Sequence, residues 1–195
     1  MEMALDALSD VSDEALLVLY ANGDQAAARA LTLRLTPRAF GFAARVLSDR
    51  AEAEDVVQEA MLRLWRVASD WRQGEAKIST WLYRVVLNLC TDRIRKKRPS
   101  ALEDVAEPED DTPGAQAGLI ERDRMQALEA ALARLPDRQR QAVVLRHLEG
   151  LGNPEIAEVM DIGVEAVESL IARGKRSLTA ILSPRRAELG YDNEV

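Results

Sequence analysis

A chain of 195 residues has room for one ordinary domain or two small ones, and its 47% apolar content permits real cores although only 4% is aromatic. Cys90 is the only cysteine and His147 the only histidine, which excludes an internal disulfide or Cys-cluster zinc site and leaves little for metal binding or His-based catalysis. The net charge of −7 argues against nucleic acid only until it is divided along the chain. Residues 1–28 carry six acids and no Lys or Arg, and residues 102–118 carry six more acids, again unopposed. Between them, residues 29–101 hold 15 basic and 8 acidic groups, whereas residues 119–182 are close to neutral with 9 and 10. A basic module lies between acidic segments, and acidic segments also disfavour non-specific DNA binding, which is mostly phosphate electrostatics. No leader peptide and no apolar run near 18 residues is found, so a cytoplasmic chain without membrane insertion is expected.

In chain order, Ser12 is placed to cap a first helix, with Asp13 and Glu14 in its first turn where the helix dipole favours anions. Asn22-Gly23 ends it and Asp24 caps the next. Thr36-Pro37 reads as a restart, with Thr36 as cap and Pro37 at the first helical position. A long helix follows Asp49, where Val56, Val57, Ala60, Met61, Leu64, Trp65 and Ala68 keep helical spacing. After the polar loop at Gln73-Gly74, Ser79 or Thr80 opens another helix. Its inner stripe is Trp81, Leu82, Val85, Val86, Leu89 and Ile94, and it ends in the basic run Arg93, Arg95, Lys96, Lys97, Arg98, stopped by Pro99.

Residues 100–118 are acidic, rich in Pro and Gly and without periodicity, the composition of a flexible linker. A second helical module follows, broken at Leu135-Pro136, with Asp137 as the next cap, a stop at Gly150 and a restart at Asn153-Pro154. The chain thus divides into an acidic tail (1–11), a helical domain (12–99), a linker (100–118), a second helical domain (119–183) and a C-terminal tail (184–195). The fold class is all-α, two small helical domains.

Residues 154–178 have the spacing of a helix-turn-helix. Ala157 is small where two helices touch, Asp161 stands at the tight turn, and Ile156, Met160, Ile162, Val167 and Leu170 are apolar where such a unit must bury. Gly163 starts the second helix, whose Arg173, Lys175 and Arg176 suit phosphates, while Glu165, Ala166, Glu168 and Ser169 lie in its first turns, the part that meets base edges. A carboxylate beside phosphates costs Coulomb energy, although Glu can accept from cytosine N4. A plain helical hairpin would show much of the same pattern.

Three segments taken together are more specific: AEAEDVVQEAMLRLWRVASDW (51–71), ISTWLYRVVLNLCTDRIRKKRP (78–99) and LPDRQRQAVVLRHLEGLGNPEIAEVM (135–160). In this order and spacing they closely resemble the extracytoplasmic-function (ECF) group of bacterial sigma factors, over about residues 12–182. The resemblance implies an alternative sigma factor that binds core RNA polymerase, recognises the −10 and −35 promoter elements and directs transcription initiation, with no cofactor and no catalysis of its own. It implies that the ridge Asp55, Gln58 and Glu59, with Met61 or Trp65 as apolar anchor, docks on the β′ clamp helices, with β a further contact. A solvated face with Trp65 in the core is the plainer alternative. It assigns Trp81, Arg84, Asn88, Asp92 and Arg95 to the melting −10 element, and Asn88 with the loop 71–80 to a base extruded from the stack. Arg93, Arg95, Lys96, Lys97 and Arg98 would hold backbone phosphates, although a basic helix end is also favoured by its dipole. Trp81 at this spacing serves equally as core. Leu82, where housekeeping relatives have a second aromatic, implies weaker melting.

The helix-turn-helix residues Glu165, Ala166, Glu168, Ser169, Arg173, Lys175 and Arg176 would meet duplex DNA at −35, and an anti-sigma factor is an expected partner. Two rival readings are a stand-alone helix-turn-helix regulator, which would bind an operator tightly without polymerase, and a sigma mimic that titrates an anti-sigma factor.

Overall fold

The computed structural model describes residues 8–71, 77–97 and 116–186, the last span without the side chains of 116–121. Within them the chain is helical and no strand occurs. The Gln73-Gly74 loop, Arg98, Pro99 and the linker from 100 to 115 lie outside the described residues, as do the outer parts of both tails.

The first module is built from α1 (Asp13–Ala21), α2 (Gln25–Leu47), α3 (Arg50–Val67) and α4 (Ile78–Lys97). Its helix starts follow local chemistry. Ser12 accepts a hydrogen bond from the Ala15 N–H, Asp24 from the Ala26 and Ala27 N–H groups, and Asp49 from the Glu52 N–H. Arg34 ties down the preceding segment, donating to the carbonyls of Leu8, Ser9 and Val11 and pairing with Asp13 at 3.2 Å. The left-handed Ser48 (φ 54°) turns α2 directly into the cap of α3.

Two expectations for this module are corrected. The chain does not restart at Thr36-Pro37; Pro37 lies inside α2. Ala27, Ala30, Leu31 and Leu35 before it and Ala39, Phe42, Ala43 and Val46 after it are all buried. Their packing outweighs the roughly 3 kcal/mol that an interior proline costs a helix. Nor do Ser79 or Thr80 open α4. It begins at Ile78, whose N–H is taken by the Glu14 carboxylate from α1, and Thr80 is buried.

The second module contains α5 (Gln116–Ala133), α6 (Asp137–His147), α7 (Asn153–Met160) and α8 (Val164–Leu182). Here α5 begins within the span expected as linker, and Asp137 is the first helical residue of α6, not its cap; its carboxylate receives Arg140 at 3.0 Å. Gly152 precedes α7, and its N–H donates to Glu155 Oε2 at 2.8 Å. Asp161 has φ 52° and ψ 54° at the turn into α8, the backbone expected of it. Ile156, Ala157, Met160 and Val167 are buried, with Ile162 and Leu170 packed against them. Buried Gly174 lets α8 approach α6 so closely that a β-carbon there would stand 2.5 Å from Val143 Cγ2.

The modules are not separate bodies. α7 packs on α4, α6 and α5 pack on α2, and one cluster of buried apolar side chains runs through both.

Candidate nucleic-acid and partner interfaces

The exposed side of α3 carries Asp55 and Gln58, with half-buried Glu59 fixed by Arg63 at 2.9 Å. Beside this ridge lies a mainly apolar groove of about 380 Å³ between α2 and α3. Its α2 wall is Thr32, Thr36 and Phe40, and its α3 wall includes Val57, Gln58, Met61, Leu62 and Trp65. Met61, one of the two candidate anchors, is buried, because α3 must fill the space against α2 as well as offer a surface. It forms part of the groove lining, whereas Trp65 is half-buried, held edge-on by Tyr20 at 4.7 Å. Leu33 and Leu62 are large, apolar and exposed. Periodicity along α3 cannot show the α2 wall, since a groove belongs to two helices.

On α4, Arg84, Asn88, Asp92 and Arg95 are all exposed and share one face, as expected. Trp81 is half-buried and meets Trp71 edge-to-face at 6.0 Å. The basic end is only partly turned outward. Arg93 donates to Glu52 at 3.1 Å and lies 3.7 Å from Asp55; Lys97 lies 3.0 Å from Asp49 and 3.3 Å from Glu52. Arg95 pairs with Asp92 at 3.1 Å, and Lys96 is exposed. The hydrogen bond from Arg93 leads in holding the Glu52 carboxyl below its usual range, and Asp49 is held low first by the Glu52 N–H and then by Lys97. Arg93 and Lys97 therefore brace α4 against α3, which sequence spacing within one helix could not show.

On α8, Glu165, Ala166, Glu168, Arg173, Lys175 and Arg176 are exposed and Ser169 is half-buried. Glu168 accepts a 3.4 Å hydrogen bond from Asn153, which draws one of the two acids toward α7. Among the described residues no group of three or more His, Cys, Asp or Glu is placed to hold a metal, and no helix is long and apolar enough to cross a membrane.

The face of α4 turned to the second module went unrecognised in the sequence. Tyr83, Leu87 and Cys90 are buried at i, i+4 and i+7, a second apolar stripe beside the expected one. Tyr83 donates its hydroxyl to Glu149 Oε2 at 2.5 Å, and its ring meets Phe42 edge-on at 5.4 Å. Burial first, then Glu149, raises the Tyr83 phenol well above its usual range. Burial pushes the Cys90 thiol up to about 12, consistent with a structural role.

The two modules match two parts of one family. Residues 31–100 match Sigma-70 region 2, and residues 125–178 match Sigma-70, region 4. The ECF RNA polymerase sigma factor SigW of Bacillus subtilis is 38% identical over 145 residues, covering 69% of this chain and 77% of that protein. The ECF RNA polymerase sigma factor SigM of Mycobacterium tuberculosis is 35% identical, covering 88% and 85%. Among solved structures, CnrH in complex with the cytosolic domain of CnrY aligns with a TM-score of 0.66 at 26% identity, over 88% of this chain and 97% of that one. The chain belongs to the ECF group of RNA polymerase sigma factors. It is an alternative sigma factor that directs transcription initiation.

Proposed function

We propose a division of labour by surface. The ridge Asp55, Gln58 and Glu59 and the groove reaching Trp65 bind core polymerase through its β′ clamp helices; the exposed face of α4 takes the melted −10 strand; α8 takes the −35 duplex. The observation that carries this reading is the cross-brace of Arg93 to Glu52 and Asp55. It fixes the docking ridge and the face bearing Arg84, Asn88, Asp92 and Arg95 in one rigid unit. A −10 strand is thus presented at a set distance from the polymerase. Arg95 and Lys96 meet phosphates, and Arg93 and Lys97 chiefly hold geometry. On α8, Arg173, Lys175 and Arg176 supply phosphate contacts, while Glu165 and Glu168 make the base preference unusual or weak. The polymerisation chemistry belongs to the partner enzyme, and the protein works in the cytoplasm. An anti-sigma factor is the natural inhibitor.

Run-off transcription with core polymerase on a promoter library tests this. Asn88→Ala should relax or abolish −10 selection while polymerase binding stays intact. Asp55→Ala with Gln58→Ala should weaken polymerase binding about tenfold or more, the effect of removing contacts at the centre of an interface. Wild-type behaviour of both variants would overturn the assignment.

A further inference from the structure

We infer that the face made by α2 and α3 is also the contact through which two copies of this chain pair, each seating its exposed Leu62 in the groove of the other and setting its Glu54 against Arg66 of the second copy. Pairing would hide the ridge and groove assigned above to core polymerase, and that consequence rests on the reading above.

The face is apolar in its middle. Leu33 is 58% exposed and Leu62 45%. Leu62 lines the groove together with Phe40, Val57, Met61 and Trp65, and Leu33 follows its Thr32 wall on α2. Single exposed leucines are ordinary, but two beside one apolar groove make a continuous patch of the kind that binds a partner.

The ends of the face carry opposite charge. The two helices pack side by side about the turn at Ser48. At the turn end α3 presents exposed Glu54, with Asp55 beside it and 3.7 Å from Arg93. Arg50 at this end is engaged with Phe40, its guanidinium 5.0 Å from the ring centroid. At the far end Arg66 is exposed one turn beyond Leu62, and Arg29 is exposed one turn before Leu33. Asp24 near this end is taken up by the Ala26 and Ala27 N–H groups. Midway, Glu59 and Arg63 neutralise each other at 2.9 Å.

A face that is acidic at one end and basic at the other complements itself about a two-fold axis, as a pair of identical chains requires. An axis crossing α3 at the level of Ala60 sets Glu54 opposite Arg66 of the second copy, and Leu62 opposite the groove wall at Gln58. The 18 residues of α3 extend about 27 Å, and two adjacent helices are about 20 Å wide. Each copy can thus bury roughly 500 Å², and the pair about 1,000 Å², the low end of specific interfaces. Such a pair is weak and reversible, so a larger interface with polymerase can displace it.

Sedimentation equilibrium of the full chain from micromolar to millimolar concentration tests the pairing. The wild type should dimerise reversibly. Glu54→Arg sets like charges together twice in each dimer, and so does Arg66→Glu; each should weaken pairing about tenfold. Both side chains are exposed, so folding is not at risk. Mixed in equal amounts, the two variants should pair with each other, because each altered end then meets its opposite, and the doubly substituted chain should pair like the wild type. A monomeric wild type, single variants that dimerise undiminished, or a mixture that stays monomeric would each overturn the inference. Core polymerase added to the dimer should take one copy and release the other; a dimer bound to polymerase intact would place the pairing face elsewhere. If the charge exchange behaves as described but no copy binds polymerase, pairing stands and the polymerase reading of this face falls.

Discussion

At Gly174 the fold depends on the absence of a single carbon. A methyl group there would stand 2.5 Å from Val143 Cγ2 and 3.4 Å from the Gln139 carbonyl, so α8 would have to move off α6. Gly174→Ala is expected to lower stability in chemical denaturation by about 1–3 kcal/mol, the usual range for overpacking, despite alanine's better helix propensity. Val143→Ala in the same chain should restore part of the loss; no loss at all would mean that the two helices are farther apart than described. Cys90 is the complementary case, a reactive group silenced by its surroundings. With its thiol pushed up to about 12 and its side chain fully buried, it should react with a disulfide reagent at pH 8 about a hundredfold more slowly in the native chain than in denaturant. Rapid modification of the folded wild type would contradict that burial.

At the scale of the helix, Asp49 both caps α3 and receives Lys97 from α4, so one carboxylate joins two elements. Its carboxyl is held below its ordinary value of 3.8, first by the Glu52 N–H and then by Lys97. A lowered carboxyl stabilises the fold fully above its unfolded value, and that share is lost as pH falls through the folded value. Asp49→Ala should therefore cost about 1 kcal/mol near neutrality, the typical worth of an N-cap, and progressively less as the solution is acidified below 3.8. Denaturation of both proteins across that range is the check; a penalty independent of pH would remove the carboxylate from the account. Helix starts of this kind were legible in the chain because a cap is local: Ser12, Asp24 and Asp49 each precede the helix they begin. The start of α4 was not legible, since the group that receives the Ile78 N–H is Glu14, 64 positions away. Pro37 misled for a related reason: its local signal to stop is real, but the buried residues on either side of it decide the outcome.

Across the whole molecule, the helical class, the two modules and the exposed faces of α4 and α8 could be read from periodicity and from the order of the motifs. What could not be read is where one module meets the other. The stripe Tyr83, Leu87 and Cys90 has the spacing of a buried face, but α4 already had one such stripe, and nothing in a single helix says which of two apolar sides its own module covers. The basic end of α4 shows the same limit. Arg93 and Lys97 belong to a run that suits phosphates, and only the fold sets Asp49, Glu52 and Asp55 beside them.

The joint between the modules is also of mixed character, an apolar strip with charged contacts at its margin. Cooling weakens attraction between greasy surfaces, while added electrolyte weakens an exposed pair such as Lys77 and Glu155. A drop in temperature and a rise in ionic strength should therefore both loosen this joint, by separate physical routes.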